Sequence, residues 1–236
     1  MLDCCKELFD KWNLHVRYCH WKSNEHLADG LDGKTDLDVF VIPDDKEVAE
    51  SDLRASRYIQ LVPQKGCRYP NVDEWIGFDA NTGSLVHIHL HYQIITGTKF
   101  VKEYIFPIDE LIIETRIKDS SYDVYVSSPN LEVVLLYSRI ALKSQKKHRI
   151  HVDKDSQREI DYLKHLIDLG EVKRLCDELM DDQGEEFFTL LSRDCLDERK
   201  WYTLYKIADK WLTPYRRQSK VKAILTHYYY YIRFHR

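Results

Sequence analysis

The chain has 236 residues, a formal net charge of −4, 44% apolar and 31% charged residues. That balance argues against disorder, and the length suffices for one large domain or two small ones with real cores. Gly and Pro are scarce (8 and 6) beside 16 Tyr, which weighs against a turn-rich all-β protein and favours long helices. No run of 18 apolar residues occurs, so no membrane span is expected. The cysteines Cys4, Cys5, Cys19, Cys67, Cys176 and Cys195 form no C-x-x-C pair, and no signal peptide is expected. Reduced cysteines and a cytoplasmic location are the expectation.

In chain order, residues 3 to 12 place Cys5, Leu8, Phe9 and Trp12 on one helical face. A short β-rich segment at His15 to Cys19 leads into HWKSNEHLADGLDGKTDLDVF, residues 20 to 40, with room for a short helix from Asn24 to about Gly30. Leu37 to Ile42 is a compact apolar strand stopped by Pro43, Asp44 to Arg57 is helix-compatible, and Tyr58 to Val62 reads as the next strand. EWIGFD and SLVHIHLHYQI, joined by ANTG, predict a β-hairpin. In its second arm Val86, Ile88 and Leu90 alternate with His87, His89 and His91, so the three imidazoles share one face.

IDELII after Pro107 predicts a short helix, Tyr122 to Val126 a strand, and Ser128-Pro129 the start of a helix running to about Lys143. The basic stretch KSQKKHRIH, residues 143 to 151, is the expected domain boundary, giving domains of 1–148 and 149–236, the second all-helical. From Lys210 to Arg236 there are seven Lys or Arg and no acidic residue. The bland account of that run is a solvated helix face; nucleic acid, a membrane surface or a partner is the alternative.

The chemistry concentrates at Asp36-Leu37-Asp38. Carboxylates at i and i+2 of a strand point the same way and can share a divalent cation, which phosphoryl transfer needs to neutralise phosphate charge and activate an attacking oxygen. An upstream serine turn, here Ser23, can hydrogen-bond phosphate oxygens. D-x-D alone is weak, and a solvated strand end explains most examples; both readings stand at this level.

Ser23, Asp36-Leu37-Asp38 and the apolar Val39-Phe40-Val41 resemble the signature of the nucleotidyltransferase superfamily related to DNA polymerase β: an apolar residue, Gly, Gly or Ser, a spacer, then Asp, an apolar residue and Asp or Glu. The resemblance covers roughly residues 3 to 143. It implies an α+β fold, a mixed sheet flanked by helices and followed by a helical C-terminal region. It also implies Mg²⁺ or Mn²⁺ as cofactor and a nucleoside triphosphate as substrate, with an acceptor the sequence leaves open. The chain departs from the pattern twice. Lys22 stands where the family has its first Gly, and His89, in His89-Leu90-His91-Tyr92, stands where the third carboxylate is expected.

The resemblance makes Asp36, Asp38 and His89 the expected catalytic and metal-binding residues, with Ser23, Lys22, Arg139 and Lys143 toward nucleotide phosphates. His87, His91 and Lys102 are further candidates; each has a plainer reading as a strand-surface or solvated side chain. Imidazole ligates Mn²⁺ or Zn²⁺ but is a poor Mg²⁺ ligand, and a histidine can also act as general base. Three functions follow: a nucleotidyltransferase; a catalytically impaired nucleotide- or partner-binding module; and, less favoured, a metal-dependent hydrolase built on H-x-H-x-H, with His20 and His26 as candidate further ligands. Similar domains occur joined to thymidylate-kinase-like P-loop domains. No G-x-x-x-x-G-K-[ST] is present, so the chain reads either as a stand-alone relative or as one part of a longer protein with a kinase-like partner or a further domain. Net charge does not indicate nucleic acid.

Overall fold

Helix α1, Asp3–His15, buries Cys4, Cys5, Leu8, Phe9 and Trp12 on the stripe that the sequence periodicity marks. The computed structural model describes residues 1–63, 68–143, 150, 152–193 and 195–234. It divides into two compact units, Met1–Ile94 with Ile108–Ser128, and Ile95–Pro107 with Pro129–Arg236. The fold is α+β: a mixed sheet flanked by helices, and a helical C-terminal region.

In the first unit, α1 is followed by β1 (Tyr18–His20), a 3-10 turn at Asn24–His26, α2 (Leu27–Leu31), β2 (Leu37–Val41), α3 (Lys46–Ala55), β3 (Ile59–Leu61), β4 (Val72–Phe78) and β5 (Leu85–His91). The chain then passes through β6 (Ile95–Thr96) and β7 (Tyr104–Ile105) of the second unit. It returns for α4 (Asp109–Thr115), β8 (Ile117–Lys118) and β9 (Tyr125–Val126). Among the described residues the sheet has seven strands in the order β3-β4-β5-β2-β1-β9-β8. The expected hairpin is the antiparallel β4–β5 pair, whereas β2 runs parallel to β5.

One face of this sheet is the core. Leu37, Val39 and Val41 of β2 and Val86, Ile88 and Leu90 of β5 pack with Leu8, Phe9 and Trp12 of α1 and Ala49 and Leu53 of α3. Full burial of each large side chain contributes on the order of 2 kcal/mol. Because side chains alternate along a strand, the other face must carry Asp36, Asp38, His87, His89 and His91.

The second unit is built on α5, Pro129–Lys143, whose buried residues include Leu131, Val133, Val134, Leu135, Leu136, Ile140, Ala141 and Leu142. A helix apolar on most sides becomes a central one. It packs against α6 (Lys154–Lys164), α7 (Leu169–Met180) and α9 (Glu198–Leu212); α8 (Gly184–Leu191) and α10 (Lys220–Phe234) complete the unit. Asp153, Asp168 and Asp197 each cap a helix, accepting from the backbone N–H of Ser156, Glu171 and Lys200. The boundary expected at 148/149 lies outside the described residues. The division into compact units assigns α5 to the second. No helix among the described residues is long and apolar enough to cross a membrane.

Candidate metal and phosphate site

Parallel pairing of β2 with β5 sets Asp38 opposite His89 and Phe40 opposite His91. Asp36 enters β2 just ahead of the Leu37–Ile88 pair, beside His87. Two segments about fifty residues apart thereby place two carboxylates and three imidazoles on the sheet face opposite the α1 core.

His87 Nδ1 is 2.8 Å from Asp36 Oδ1. His89 stands between the aspartates, its Nε2 at 4.0 Å from Asp36 Oδ2 and its Nδ1 at 3.5 Å from Asp38 Oδ1. His91 Nε2 lies 3.2 Å from the same Asp38 oxygen. The other Asp38 oxygen, Oδ2, is ion-paired with Lys22 Nζ at 2.8 Å. Ligand atoms of Asp36, His87 and His89 all lie within 4.8 Å of one another, a spacing that a single ion can span. Asp38 is engaged instead by Lys22, His89 and His91.

The electrostatics follow from these contacts. Burial alone would raise the Asp38 carboxyl, but the Lys22 ammonium and the two imidazoles hold it well below the usual carboxylate range. His89 is desolvated, which favours its neutral form, yet Asp38 and Asp36 outweigh this and raise it above an ordinary histidine. His91, more deeply buried, is pushed down by desolvation despite its contact with Asp38. Two histidines on one strand, facing one carboxylate, are thus tuned in opposite directions by depth.

Lys22 reaches Asp38 because Trp21 donates its backbone N–H to the Asp38 carbonyl at 3.1 Å, fastening the serine turn beside the D-x-D strand. Ser23 follows in the left-handed region, φ 57° and ψ 41°, an uncommon conformation for a residue with a Cβ. The indole of Trp21 meets His91 edge-on at 5.5 Å.

Glu74 is a site residue that sequence reasoning missed. It sits opposite His89 in the β4–β5 register, with Oε2 at 3.9 Å from His87 Nε2. Its only signal is its place in EWIGFD, and that becomes informative once the hairpin register is known. Asp79 serves the turn: its carboxylate accepts from the Thr82 N–H and hydroxyl, and also from the Cys4 N–H at the start of α1.

The remaining candidates take other places. His20 contacts Asn24 through Nδ1 at 2.6 Å, and His26 lies beside Glu25 and Asp29. Arg139 and Lys143 belong to α5 of the second unit, where Arg139 faces Glu159 at 3.4 Å and Lys143 is exposed. Lys102 also belongs to the second unit, with φ 48° and a carbonyl that accepts from Arg217.

No protein-family model matches the chain, and no curated protein matches its sequence. A solved structure described as the crystal structure of JHP933 from Helicobacter pylori aligns over 89% of this chain and 90% of that chain, at 9% identity and a TM-score of 0.42.

Proposed function

We propose that this chain is a divalent-metal-dependent nucleotidyltransferase that moves a nucleoside monophosphate from a triphosphate to an acceptor. The observation that carries the reading is the meeting, on one sheet face, of Asp36, Asp38 and His89, with the Lys22-Ser23 turn fastened against Asp38. The sequence resemblance supplies the reaction class. A bound ion would neutralise phosphate charge and activate the attacking oxygen. The donors nearest together, one carboxylate and imidazoles, fit Mn²⁺ better than Mg²⁺, which prefers hard oxygen ligands. Lys22 supplies a positive charge on a flexible stem beside Asp38, and the Ser23 hydroxyl is the phosphate hydrogen-bond donor of this reading.

A second reading has its own observation. The Lys22–Asp38 ion pair satisfies the second carboxylate of D-x-D internally, as a nucleotide- or partner-binding module that has lost turnover would. One experiment separates the two. The chain is incubated with each labelled nucleoside triphosphate and Mg²⁺ or Mn²⁺, beside Asp36→Asn and Asp38→Asn. Transfer or pyrophosphate release that disappears in both variants supports catalysis. Saturable nucleotide binding without turnover under either metal supports the binding module. Neither nucleotide binding nor turnover removes the catalytic reading and the nucleotide-binding form of the second.

A further inference from the structure

We propose that Asp36, His87 and His89 form a binding site for a divalent transition-metal ion of the zinc or manganese class, and that Asp38 is the carboxylate that orients His89 rather than a ligand. This deepens the reading above and rests on it only for where the site lies.

The argument starts from the two ring nitrogens of His89. Nδ1 faces Asp38 Oδ1 at 3.5 Å, and Nε2 faces Asp36 Oδ2 at 4.0 Å on the other side of the ring. A metal-ligating histidine characteristically directs one nitrogen to the ion and gives the other N–H to a carboxylate, which fixes tautomer and ring angle. Asp38 is placed for the second role, and its remaining oxygen is closed by Lys22 at 2.8 Å. An ammonium at that distance opposes a cation on the same carboxylate. Asp36, by contrast, is ion-paired only with His87 and His89 among the described residues, and it is half exposed.

His87 brings a second imidazole to Asp36. Its Nδ1 meets Asp36 Oδ1 at 2.8 Å, while Nε2, shielded from solvent and without a hydrogen-bond partner, points toward Glu74 Oε2 at 3.9 Å. Glu74 is the carboxylate nearest that nitrogen, at 3.9 Å too far to accept its N–H as it stands. The two rings sit two residues apart on β5 with centroids 4.5 Å apart, both on the face of Asp36. Ligands about 2.1 Å from a tetrahedral ion stand roughly 3.4 Å from one another, so the present spacing closes with small side-chain rotations. Two imidazoles and one carboxylate suit Zn²⁺, Mn²⁺, Co²⁺ or Fe²⁺ and leave positions open for water or substrate.

The test measures metal binding directly. The full-length chain, stripped by chelator, is titrated with Co²⁺ while its visible d–d absorption is followed. Zn²⁺, Mn²⁺ and Mg²⁺ are then added as competitors. One Co²⁺ per chain is expected, displaced by Zn²⁺ but not by millimolar Mg²⁺. Asp36→Asn and His87→Ala should lose the band, with His87→Gln as a closer-shaped control. Asp38→Asn should keep it at about ten- to hundred-fold weaker affinity. Displacement by equal Mg²⁺, or a band lost in Asp38→Asn but kept in His87→Ala, overturns the proposal in favour of a D-x-D ligand pair. A band insensitive to all the variants places the ion elsewhere and also overturns it. Circular dichroism confirms that each variant is folded; should Asp38→Asn not fold, the Asp36 and His87 variants decide alone. Metal binding as described but no nucleotidyl transfer would fail only the functional reading, and Mg²⁺-driven transfer indifferent to His87 would fail only this one.

Discussion

Lys22 Nζ and Asp38 Oδ2 form a 2.8 Å ion pair whose side chains are 26% and 14% exposed. Removing the ammonium leaves a carboxylate among imidazoles with no permanent cation beside it. Breaking a buried pair costs about 3 to 5 kcal/mol. Since Lys22 keeps a quarter of its surface in water, Lys22→Met should cost nearer to about 2 kcal/mol at pH 7. The loss should shrink in Lys22→Met/Asp38→Asn, where no charge is stranded. Urea denaturation of the wild type, both single variants and the double variant gives the coupling; a double-variant loss equal to the sum of the two single losses would mean that the pair contributes nothing.

The opposed tuning of His89 and His91 predicts their order of protonation. In metal-free buffer, ring-proton NMR should show His89 titrating above the ordinary histidine value of about 6.5 and His91 below it. The stability contributions carry opposite signs. The raised His89 stabilises the fold below its unfolded-state value, and that contribution is lost as pH rises through its folded-state value. The depressed His91 gives stability that is present above its unfolded-state value and lost as pH falls through the histidine range. Asp38, also depressed, gives stability that is present above the unfolded carboxylate value of about 3.9 and lost only as pH falls through its own lower folded-state value. Asp38→Asn should lower the His89 value; an unchanged His89 titration would show that the imidazole does not sense that carboxylate.

The local elements of this fold were legible because each rests on a pattern of near neighbours. The Leu8-Phe9-Trp12 stripe gives α1, ANTG gives the β4–β5 turn, and Ser128-Pro129 marks the start of α5. The alternation of His87, His89 and His91 with aliphatic residues says which side chains share a face. It does not say what that face meets. The parallel pairing of β2 with β5 joins residues about fifty apart, and that pairing alone puts His89 opposite Asp38, while the β4–β5 register sets Glu74 opposite His89 from the other side. As a neighbour of the serine turn, Lys22 is expected to face nucleotide phosphates. Its pairing with Asp38 depends on how the chain turns back after β1, which no periodicity encodes. The excursion of Ile95–Pro107 into the second unit was invisible for the same reason: its short strands take their partners from each other and from a distant turn.

In the second unit, Asp209 ties that excursion to α9. Its Oδ1 accepts from the Tyr104 hydroxyl and from Arg216 Nη2, each at 2.6 Å, and the guanidinium lies over the Tyr104 ring at 4.4 Å. Asp209 and Arg216 are 16% and 10% exposed. Asp209→Ala strands a buried guanidinium and should destabilise by about 3 kcal/mol, whereas Asp209→Asn, which keeps an acceptor for Tyr104, should cost less. Thermal melts read the difference. A smaller loss for Ala than for Asn would contradict a role for Asp209 as acceptor.

Gly33 connects α2 to the strand that carries Asp36, and its φ of +74° lies where a Cβ is strained. A methyl group there would also run into the Leu85 carbonyl, at the start of the strand that carries His87. Gly83 is a matched control with φ +75° and nothing within 4 Å of its would-be Cβ. Gly83→Ala should therefore lose only the conformational term, about 1 kcal/mol. Gly33→Ala should add an overpacking term of about 1 to 3 kcal/mol. Because relief of that clash pushes Leu85 away from the loop leading to Asp36, Gly33→Ala should also weaken Co²⁺ binding while Gly83→Ala leaves it unchanged. If both variants lose equal stability and both keep wild-type Co²⁺ affinity, then the close approach at Gly33 does not hold Asp36 and His87 together.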